Sequence, residues 1–390
     1  MHFSSLIDAV ETPALVYDEG EVLRVLELAG SLQRETGCRM LYSVKPLPLP
    51  PLLELMNPWL SGFAVSSAFE ARLARSVVGQ STSIHFTSPG IRPRDAFELA
   101  DLCDYVSFNS LSQWNSVGSC FEGRASLGLR VNPGISFLDD ERYDPCRENS
   151  KLGVPVDLLS GMDNLEGVVG GKLEGMLVHT NCESTDFLEL LRTVDCLERK
   201  LPVLLEQASW INLGGGYLFP EGVALTPLRM AIEHLRGEYG LEVFLEPGAA
   251  YVRSAGHMVS TVLDIFDSGG KRVAVLDATV NHMTELLEFD FEPDVEGHRE
   301  DGEWEYLLAG CTCLAGDVFG EYSFDRPMEA GDRVVFKNAG SYTLTKAHTF
   351  NGVNLPTLYS VSPEGELKLL REFDYEDYAA RWKTNASHPY

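Results

Sequence analysis

The pattern that decides the fold is clearest in residues 210–216, which read WINLGGG, and in residues 241–248, which read LEVFLEPG. In each stretch a short apolar run ends on residues suited to chemistry, a glycine triplet in the first and the carboxylate of Glu246 in the second. Two earlier apolar runs end in the same way, one at Lys45 and one at His179. The chain therefore presents an amine, an imidazole, a turn of bare backbone and a carboxylate, each at the end of a predicted strand.

Eight short runs of apolar or β-branched residues lie between residues 40 and 248, and segments with apolar residues at helical spacing fill most of the gaps. The predicted strands are 41–45, 62–67, 83–88, 105–110, 127–132, 173–180, 210–216 and 243–248, and the clearest helices are 21–33, 68–78, 96–102, 187–204 and 227–239. This alternation predicts an α/β fold, a (β/α)8 TIM barrel over residues 20–254, although a doubly wound open sheet has the same alternation. Because the loops after the strands carry the chemistry of such barrels, we expect the four reactive sites on one face.

A β-rich pattern replaces this alternation from Gly256 onward. The predicted strands are 257–265, 272–276, 303–308 and 332–337, followed by a hairpin around residues 363–365 and a short amphipathic segment at 375–382. The N-terminal segment 12–17 is also strand-like, and we expect it to pair with these strands. A second, β-rich domain is therefore predicted for residues 1–19 and 255–390. The longest irregular stretch is 134–150, and loops of that length are uncommon unless they are functional or mobile.

The composition argues against nucleic-acid and membrane partners. The 390 residues carry a formal net charge of −27, which opposes binding to nucleic acid and anionic lipid but is compatible with a cationic substrate. No stretch approaches the ~18 consecutive apolar residues of a membrane span, and the N-terminus lacks the basic and apolar regions of a signal peptide. The eight cysteines include no CxxC pair, so we expect reduced thiols and a cytoplasmic location.

The four strand-end sites match the groups that an enzyme uses to hold pyridoxal 5'-phosphate (PLP). A lysine such as Lys45 binds the aldehyde of this cofactor as a Schiff base, and a glycine turn lets backbone N–H groups approach its phosphate. His179 can stack on the pyridine ring, and Glu246 beside the ring nitrogen would keep that nitrogen protonated, which makes the ring an electron sink. Each site also has a structural explanation: a surface lysine, a common glycine loop, a packed histidine and a carboxylate that caps a turn. If the chain had no PLP site, all four structural explanations would have to hold at once, and in this strand order.

Two segments in the C-terminal half are distinctive, residues 311–317, CTCLAGD, and residues 349–356, TFNGVNLP. Further characteristic segments are 108–113, 143–146, 150–153, 179–183, 213–216, 245–248, 276–278 and 282–283. Through these segments the chain resembles the fold type III PLP enzymes of the alanine racemase and ornithine decarboxylase group, and among them the carboxynorspermidine/carboxyspermidine decarboxylases. The resemblance implies a PLP-dependent decarboxylase of polyamine biosynthesis, which releases CO2 and a primary amine from a carboxynorspermidine- or carboxyspermidine-like substrate.

The resemblance also implies a role for each site residue. The residues implied to bind the cofactor are Lys45, His179, Gly215, Gly216, Glu246 and Tyr342. Among them, the Tyr342 hydroxyl would join the two glycines at the phosphate. Those implied to contact the substrate are Tyr143, Glu183, His282 and Asp317. The carboxylates of Glu183 and Asp317 would face substrate ammonium groups, or would instead support neighbouring residues or a subunit interface.

The catalytic residues implied are Lys45, His179 and Cys313. In the family the loop that carries the cysteine reaches the active site of the partner subunit, so the resemblance implies a homodimer with shared active sites. A thiol can protonate the carbon left by CO2 loss on a defined face. Cys313 could instead be a buried structural cysteine or form a metal-binding pair with Cys311. No histidine ligands accompany that pair at suitable spacing, so no metal site is expected.

Other functions for the same fold are considered beside this prediction. The same chemistry could act on a different amino-acid-bearing intermediate of a specialised pathway. A racemase would use the same barrel, would need a catalytic tyrosine from the second domain and would release no CO2. A non-catalytic PLP-binding protein would have lost a key residue. The presence of Glu246 and Cys313 together favours decarboxylation.

Overall fold

The computed structural model describes residues 6–161 and 173–383. The chain forms two compact units, one of residues 1–22 with 252–390 and one of residues 23–251. We call them the sheet unit and the barrel unit. The strands, in chain order, are β1 (Ala14–Asp18), β2 (Arg39–Ser43), β3 (Gly62–Val65), β4 (Ser83–Ser88), β5 (Tyr105–Phe108), β6 (Ser126–Asn132), β7 (Val154–Pro155), β8 (Gly175–Val178), β9 (Trp210–Asn212), β10 (Glu242–Leu245), β11 (Gly256–Ser268), β12 (Lys271–Leu276), β13 (Trp304–Ala309), β14 (Val318–Phe324), β15 (Arg333–Phe336), β16 (Thr357–Val361) and β17 (Leu367–Arg371).

A closed ring of eight parallel strands forms the barrel unit. The strands follow one another in the order β5, β4, β3, β2, β10, β9, β8 and β6, and the pairing of β6 with β5 closes the ring. The two-residue strand β7 pairs with the end of β6. This topology confirms the predicted (β/α)8 barrel and excludes the open sheet.

Helices follow most barrel strands and also occur in the sheet unit. They are α1 (Glu19–Thr36), α2 (Pro50–Met56), α3 (Ala68–Val78), α4 (Pro93–Leu102), α5 (Leu111–Val117), α6 (Val156–Leu159), α7 (Leu188–Lys200), α8 (Pro202–Gln207), α9 (Thr226–Tyr239), α10 (Ala249–Val252), α11 (Glu285–Phe289), α12 (Thr343–Lys346) and α13 (Tyr375–Ala380). Short 3-10 helices are Ile7–Ala9, Gly118–Cys120, Val280–His282 and Phe350–Gly352. Within the described ranges, none of these helices is long and apolar enough to cross a membrane.

Helix α3 shows how local sequence sets the ends of a barrel helix. The Ser67 hydroxyl accepts the Glu70 N–H at 3.2 Å, which caps the first turn. Ala71 and Ala74 face the interior and are fully buried. The helix ends at Val78, and the next residue, Gly79, has a φ of +60°, a conformation that L side chains rarely adopt.

Trp210 occupies part of the interior of the barrel and requires glycine on the strands beside it. It packs with Leu41 and Phe244, which are also buried. A Cβ atom at Gly175 would lie 2.1 Å from the Trp210 ring, and one at Gly128 would lie 2.5 Å from it. The two glycines therefore leave the space that the indole fills.

The sheet unit is built around β1. This strand pairs antiparallel with β11 and parallel with β16, which confirms the predicted pairing of the N-terminal segment with the C-terminal strands. The sheet order is β14, β13, β12, β11, β1, β16 and β17, and β15 also pairs with β11. Val16, Val259 and Val335 lie in its apolar core. Burying each such side chain contributes roughly 1.5–3 kcal/mol, so this core favours the pairing of distant segments.

Candidate active site

Four neighbouring strands of the barrel carry the predicted site residues on one rim. β8, β9, β10 and β2 lie side by side and parallel, so their C-terminal ends meet at the same face. His179 directly follows β8 and Glu246 directly follows β10. Lys45 lies just beyond the end of β2, and the turn of residues 214–216 lies just beyond the end of β9. The structure therefore brings together the four groups that the sequence predicts for one face.

The Glu246 carboxylate is oriented by the neighbouring strand. Its Oε2 atom accepts a hydrogen bond from Nδ2 of Asn212 at 2.8 Å, and Oδ1 of Asn212 accepts the Gly214 N–H at 2.8 Å. The Glu246 N–H donates to the Gly214 carbonyl oxygen, also at 2.8 Å. Oε1 of Glu246 accepts no hydrogen bond from the described part of the chain. Asn212 thus fixes the carboxylate and leaves one of its oxygens open to another donor.

The His179 ring is held by the glycine turn. Its Nδ1 atom accepts the Gly215 N–H at 3.0 Å, so that nitrogen carries no proton. The pKa of His179 lies well below its usual value, first because burial penalises the charged ring and then because Lys45 and Arg130 are nearby cations. The ring is therefore neutral, with a flat face suited to stacking.

Burial and the neighbouring charges act in opposite directions on the pKa of Glu246. Burial raises the pKa of the carboxyl group, while Lys45, the hydrogen bond from Asn212 and Arg130 lower it. Arg130 lies in β6 and is itself almost fully buried, which lowers the pKa of its guanidinium, while Glu246 raises it. A buried carboxylate in such surroundings gains from a cationic partner.

The glycine turn has no room for side chains. A Cβ atom at Gly216, where φ is +84°, would lie 2.0 Å from the Asn181 carbonyl oxygen. One at Gly215 would lie 2.5 Å from the Glu246 carbonyl oxygen. The Gly215 N–H is used by His179, whereas the Gly216 N–H has no acceptor among the described residues. The Gly216 amide is therefore available to an anion.

Asp317, in the sheet unit, makes contacts that agree with the second of its two predicted roles, the support of neighbouring residues. Its Oδ1 atom accepts from the Val280 N–H at 2.8 Å and the Thr279 hydroxyl at 3.0 Å. Its Oδ2 atom accepts from the N–H of Thr312 at 3.0 Å and from the hydroxyl of the same residue. A carboxylate has about four acceptor sites, so both oxygens are filled. Asp317 therefore ties two turns of the sheet unit together, and this geometry does not support the predicted contact with a substrate ammonium.

The two cysteines of residues 311–317, which we call the cysteine loop, differ in their surroundings. Cys313 is exposed, and its N–H donates to Oδ1 of Asn351 at 2.9 Å. Cys311 is partly buried, and its thiol donates to the Asp277 carbonyl oxygen at 3.6 Å. All eight cysteines are free thiols. Cys313 is therefore open to solvent in this chain, whereas the Cys311 thiol bonds within the sheet unit.

His282 and Tyr342 also lie in the sheet unit. His282 is fully buried, and neither ring nitrogen makes a hydrogen bond of normal geometry within the described ranges. Its pKa is lowered to about 4, because burial outweighs the opposing effects of the nearby Asn354 backbone and Asp317. Tyr342 has a left-handed backbone, with φ at +59°, and its ring centroid lies 5.5 Å from Nζ of Lys346.

Glu183 and Tyr143 belong to loops of the barrel unit. Glu183 is exposed in the segment after His179 and has a φ of +54°. Tyr143 is partly buried in the irregular stretch 134–150, and its N–H donates to the Asp140 carbonyl oxygen at 3.1 Å. Their contacts with substrate stay predictions.

Sequence reasoning missed three residues that organise the rim. Asn212 orients Glu246, Arg130 supplies a buried positive charge, and the Cys146 thiol donates to the His179 carbonyl oxygen at 3.5 Å. Asn212 and Arg130 are polar residues inside otherwise apolar strands, and that signal could have identified them. The contact of Cys146 carries no local signal.

Comparison with known proteins places this site in a family. The family model described as "pyridoxal-dependent decarboxylase, C-terminal sheet domain" matches residues 14–340. The chain belongs to the pyridoxal-dependent decarboxylases. The predictions of a PLP-dependent carboxy-lyase and of PLP as its cofactor are confirmed.

Several relatives match over nearly the whole chain. A carboxyaminopropylagmatine decarboxylase from Synechocystis is 34% identical over 381 residues, which is 96% of each protein. A carboxynorspermidine/carboxyspermidine decarboxylase from Campylobacter jejuni is 32% identical over 390 aligned positions, covering 96% of this chain and 99% of the relative. The crystal structure of carboxynorspermidine decarboxylase from Campylobacter jejuni in complex with norspermidine has 30% identity and a TM-score of 0.87, covering 95% of this chain and 100% of the other. These matches confirm the predicted resemblance.

The barrel rim fits this cofactor by the chemistry of its groups. The exposed amine of Lys45 suits an aldehyde, and the neutral ring of His179 suits a stacked pyridine. The open oxygen of Glu246 suits a ring N–H, and the side-chain-free turn at Gly216 suits a phosphate. When bound, PLP supplies an electron sink that stabilises negative charge at the substrate carbon that loses CO2.

Proposed function

We propose that this decarboxylase acts on a carboxylated polyamine, an amino acid whose side chain carries further amines. Relatives that are 32–34% identical are named for carboxyaminopropylagmatine, carboxynorspermidine and carboxyspermidine, which supports this substrate class. The net charge of −27 would raise the local concentration of such a polycation. In this proposal the enzyme is cytoplasmic and serves polyamine biosynthesis.

The observation that carries the proposed cofactor chemistry is the set of four strand-end groups on one rim of the barrel. Lys45 would bind the cofactor aldehyde, His179 would stack on the ring, and Glu246 would keep the ring nitrogen protonated. The phosphate would be held at Gly215 and Gly216, and the contribution of the Tyr342 hydroxyl stays a prediction from the resemblance. Because the Gly215 N–H already donates to His179, Gly215 would contribute space and Gly216 a donor.

Cys313 would supply the proton that replaces CO2. The bond between the substrate carbon and its carboxylate breaks, CO2 leaves, and a C–H bond forms with the proton of the Cys313 thiol. The exposure of this thiol in the single chain is compatible with a residue that acts in a partner subunit. We therefore include a homodimer with shared active sites in the proposal. Tyr143, Glu183 and His282 remain its candidate substrate contacts.

The test is CO2 release from a panel of amino acids. The panel contains carboxynorspermidine, carboxyspermidine, carboxyaminopropylagmatine, diaminopimelate, lysine and ornithine, with a Lys45→Ala variant as the inactive control. If the site pairs with distal amines, kcat/KM for the best carboxylated polyamine should exceed kcat/KM for diaminopimelate, lysine and ornithine by at least roughly 100-fold. Preference for diaminopimelate, which carries a second carboxylate, would overturn the proposed substrate class and leave the family assignment intact.

A further inference from the structure

We propose that Asn351 is a positioning residue that holds Cys313 where its thiol can donate a proton. This inference rests on the role proposed above for Cys313. The Asn351 side chain accepts the backbone N–H of Cys313 itself, at 2.9 Å, although 38 positions separate the two residues. The contact therefore joins the cysteine loop to a separate turn of the sheet unit.

The turn that carries Asn351 has a backbone that few residue types adopt. Asn351 has φ +55° and ψ +12°, and the next residue, Gly352, has φ +74°. Two successive left-handed residues are readily adopted only by glycine, asparagine and aspartate. The Gly352 N–H donates to the Thr349 carbonyl oxygen at 3.1 Å, and a Cβ atom at Gly352 would lie 3.7 Å from the Tyr378 ring in α13. The amide of Asn351 therefore reaches Cys313 from a hydrogen-bonded turn.

The cysteine loop needs such a support at its centre. Asp317 holds the loop through Thr312, and the Asp317 N–H donates to the Leu314 carbonyl oxygen at 3.0 Å. Within the described ranges, the bond to Asn351 is the one hydrogen bond that Cys313 makes. Losing it would free the thiol-bearing residue while leaving the ends of the loop tied. A displacement of about 1 Å at a reacting group can cost roughly 100-fold in rate.

An Asn351→Gly variant tests the inference, because glycine accepts the left-handed backbone without strain and removes the acceptor. We expect kcat to fall roughly 10- to 100-fold, with KM within about threefold of the wild-type value. Hydrogen–deuterium exchange of the peptide covering residues 311–315 should accelerate at the Cys313 amide. An Asn351→Asp variant keeps an acceptor and tolerates the same backbone, so both its turnover and its amide protection should recover most of the wild-type behaviour.

Asn338→Gly is the matched control. Asn338 also lies in the sheet unit with a φ of +56°, and its side chain donates a hydrogen bond to Oδ2 of Asp294 at 2.8 Å. The substitution therefore removes the same kind of residue from the same backbone conformation without touching the cysteine loop. Turnover and exchange at the Cys313 amide should be those of the wild type.

Three outcomes would overturn the inference about Asn351. Asn351→Gly turnover like that of the wild type, despite faster exchange, would show that the bond is not needed for catalysis. Unchanged exchange would show that the bond does not hold the loop. A raised KM with unchanged kcat would indicate a role in substrate binding.

A Cys313→Ala variant separates the two proposals. Wild-type turnover in that variant would refute both the role of Cys313 and the inference about Asn351. Slow turnover of Cys313→Ala together with fast turnover of Asn351→Gly would refute only the inference about Asn351.

Discussion

Glu246 combines a raised pKa with a fixed orientation, and the two have different causes. Burial raises the pKa, while the hydrogen bond from Asn212 sets the orientation and works with Lys45 and Arg130 to favour the charged form. A carboxylate whose charge is costly, and which still has one open oxygen, gains most from a cationic hydrogen-bond donor. A protonated pyridine nitrogen is such a donor, so each charge would stabilise the other.

Replacing Glu246 with glutamine should therefore slow turnover strongly while PLP stays bound. Glutamine keeps the size of the side chain but loses the charge that is proposed to keep the ring nitrogen protonated. A loss of ~3–5 kcal/mol in transition-state stabilisation corresponds to roughly 10²- to 10⁴-fold in kcat. Steady-state kinetics gives kcat, and absorbance of the purified variant gives its PLP content. Near-normal turnover would mean that Glu246 is not beside the ring nitrogen.

His282 predicts how stability changes on the acid side. Its pKa is about 4 in the folded protein against an ordinary value of 6.5, so the unfolded chain binds a proton that the folded chain rejects. Its contribution to stability is present above pH 6.5 and is lost as the pH falls toward 4, by up to about 1.4 kcal/mol per pH unit. Urea titrations measure the free energy of unfolding. Relative to the wild type, this free energy should become about 3 kcal/mol more favourable for a His282→Phe variant between pH 7 and pH 4. Parallel pH profiles would show that His282 is stabilised in its charged form by a partner.

For whole elements, local periodicity located the barrel strands better than it located their ends. The strand predicted at 210–216 ends at Asn212, because Asn212 accepts the Gly214 N–H and Gly214 has a φ of +73°. The helix predicted at 187–204 divides at Leu201, because Pro202 lacks the N–H that would continue it. In both places a single residue interrupts the period, and the apolar pattern continues past it.

Contacts made by barrel closure could not be predicted from local patterns. The bond between Asn212 and Glu246 joins neighbouring strands, and Arg130 acts on Glu246 from β6, which is not adjacent to β10 in the ring. The sequence shows which residues follow strands, but the register between strands decides which of them meet. Lys45, His179, Glu246 and the glycine turn were therefore predictable. The polar character of Asn212 and Arg130 is visible in the sequence, but their action on Glu246 is not.

Asp317 should stabilise the two turns that it joins, so its replacement should lower the free energy of unfolding. In an Asp317→Asn variant an amide N–H₂ replaces one acceptor oxygen and faces either the Val280 N–H or the Thr312 N–H. One buried donor is then unpaired, which should lower the free energy of unfolding by about 1–3 kcal/mol. Thermal or urea unfolding measures this loss. Asp294→Asn is the control, because Asp294 is exposed and should change stability by less than about 0.5 kcal/mol.

A different result for Asp317→Asn would restore the role predicted from sequence. If Asp317 binds a distal substrate ammonium, the variant should keep its stability and raise KM roughly 10- to 150-fold, with a smaller effect on a substrate that lacks the distal amine. The four hydrogen bonds already made by its carboxylate lead us to expect the loss of stability instead.

In the whole molecule, the reactive groups are divided between the two units. Lys45, His179 and Glu246 lie in the barrel unit, and Cys313 lies in the sheet unit. In the proposed homodimer, each active site combines the first three residues from one subunit with Cys313 from the other. The division of residues between subunits can be tested by mixing two inactive variants.

Lys45→Ala and Cys313→Ala variants should each be nearly inactive alone and should recover activity when their subunits exchange. A heterodimer then contains one site with both substitutions and one site with neither. Random exchange of equal amounts makes half of the dimers heterodimers, so the mixture should reach about a quarter of the wild-type activity. If each site were built from a single chain, every site in the mixture would carry one substitution. Absence of recovery, with subunit exchange demonstrated by mass spectrometry of a tagged subunit, would contradict the shared site.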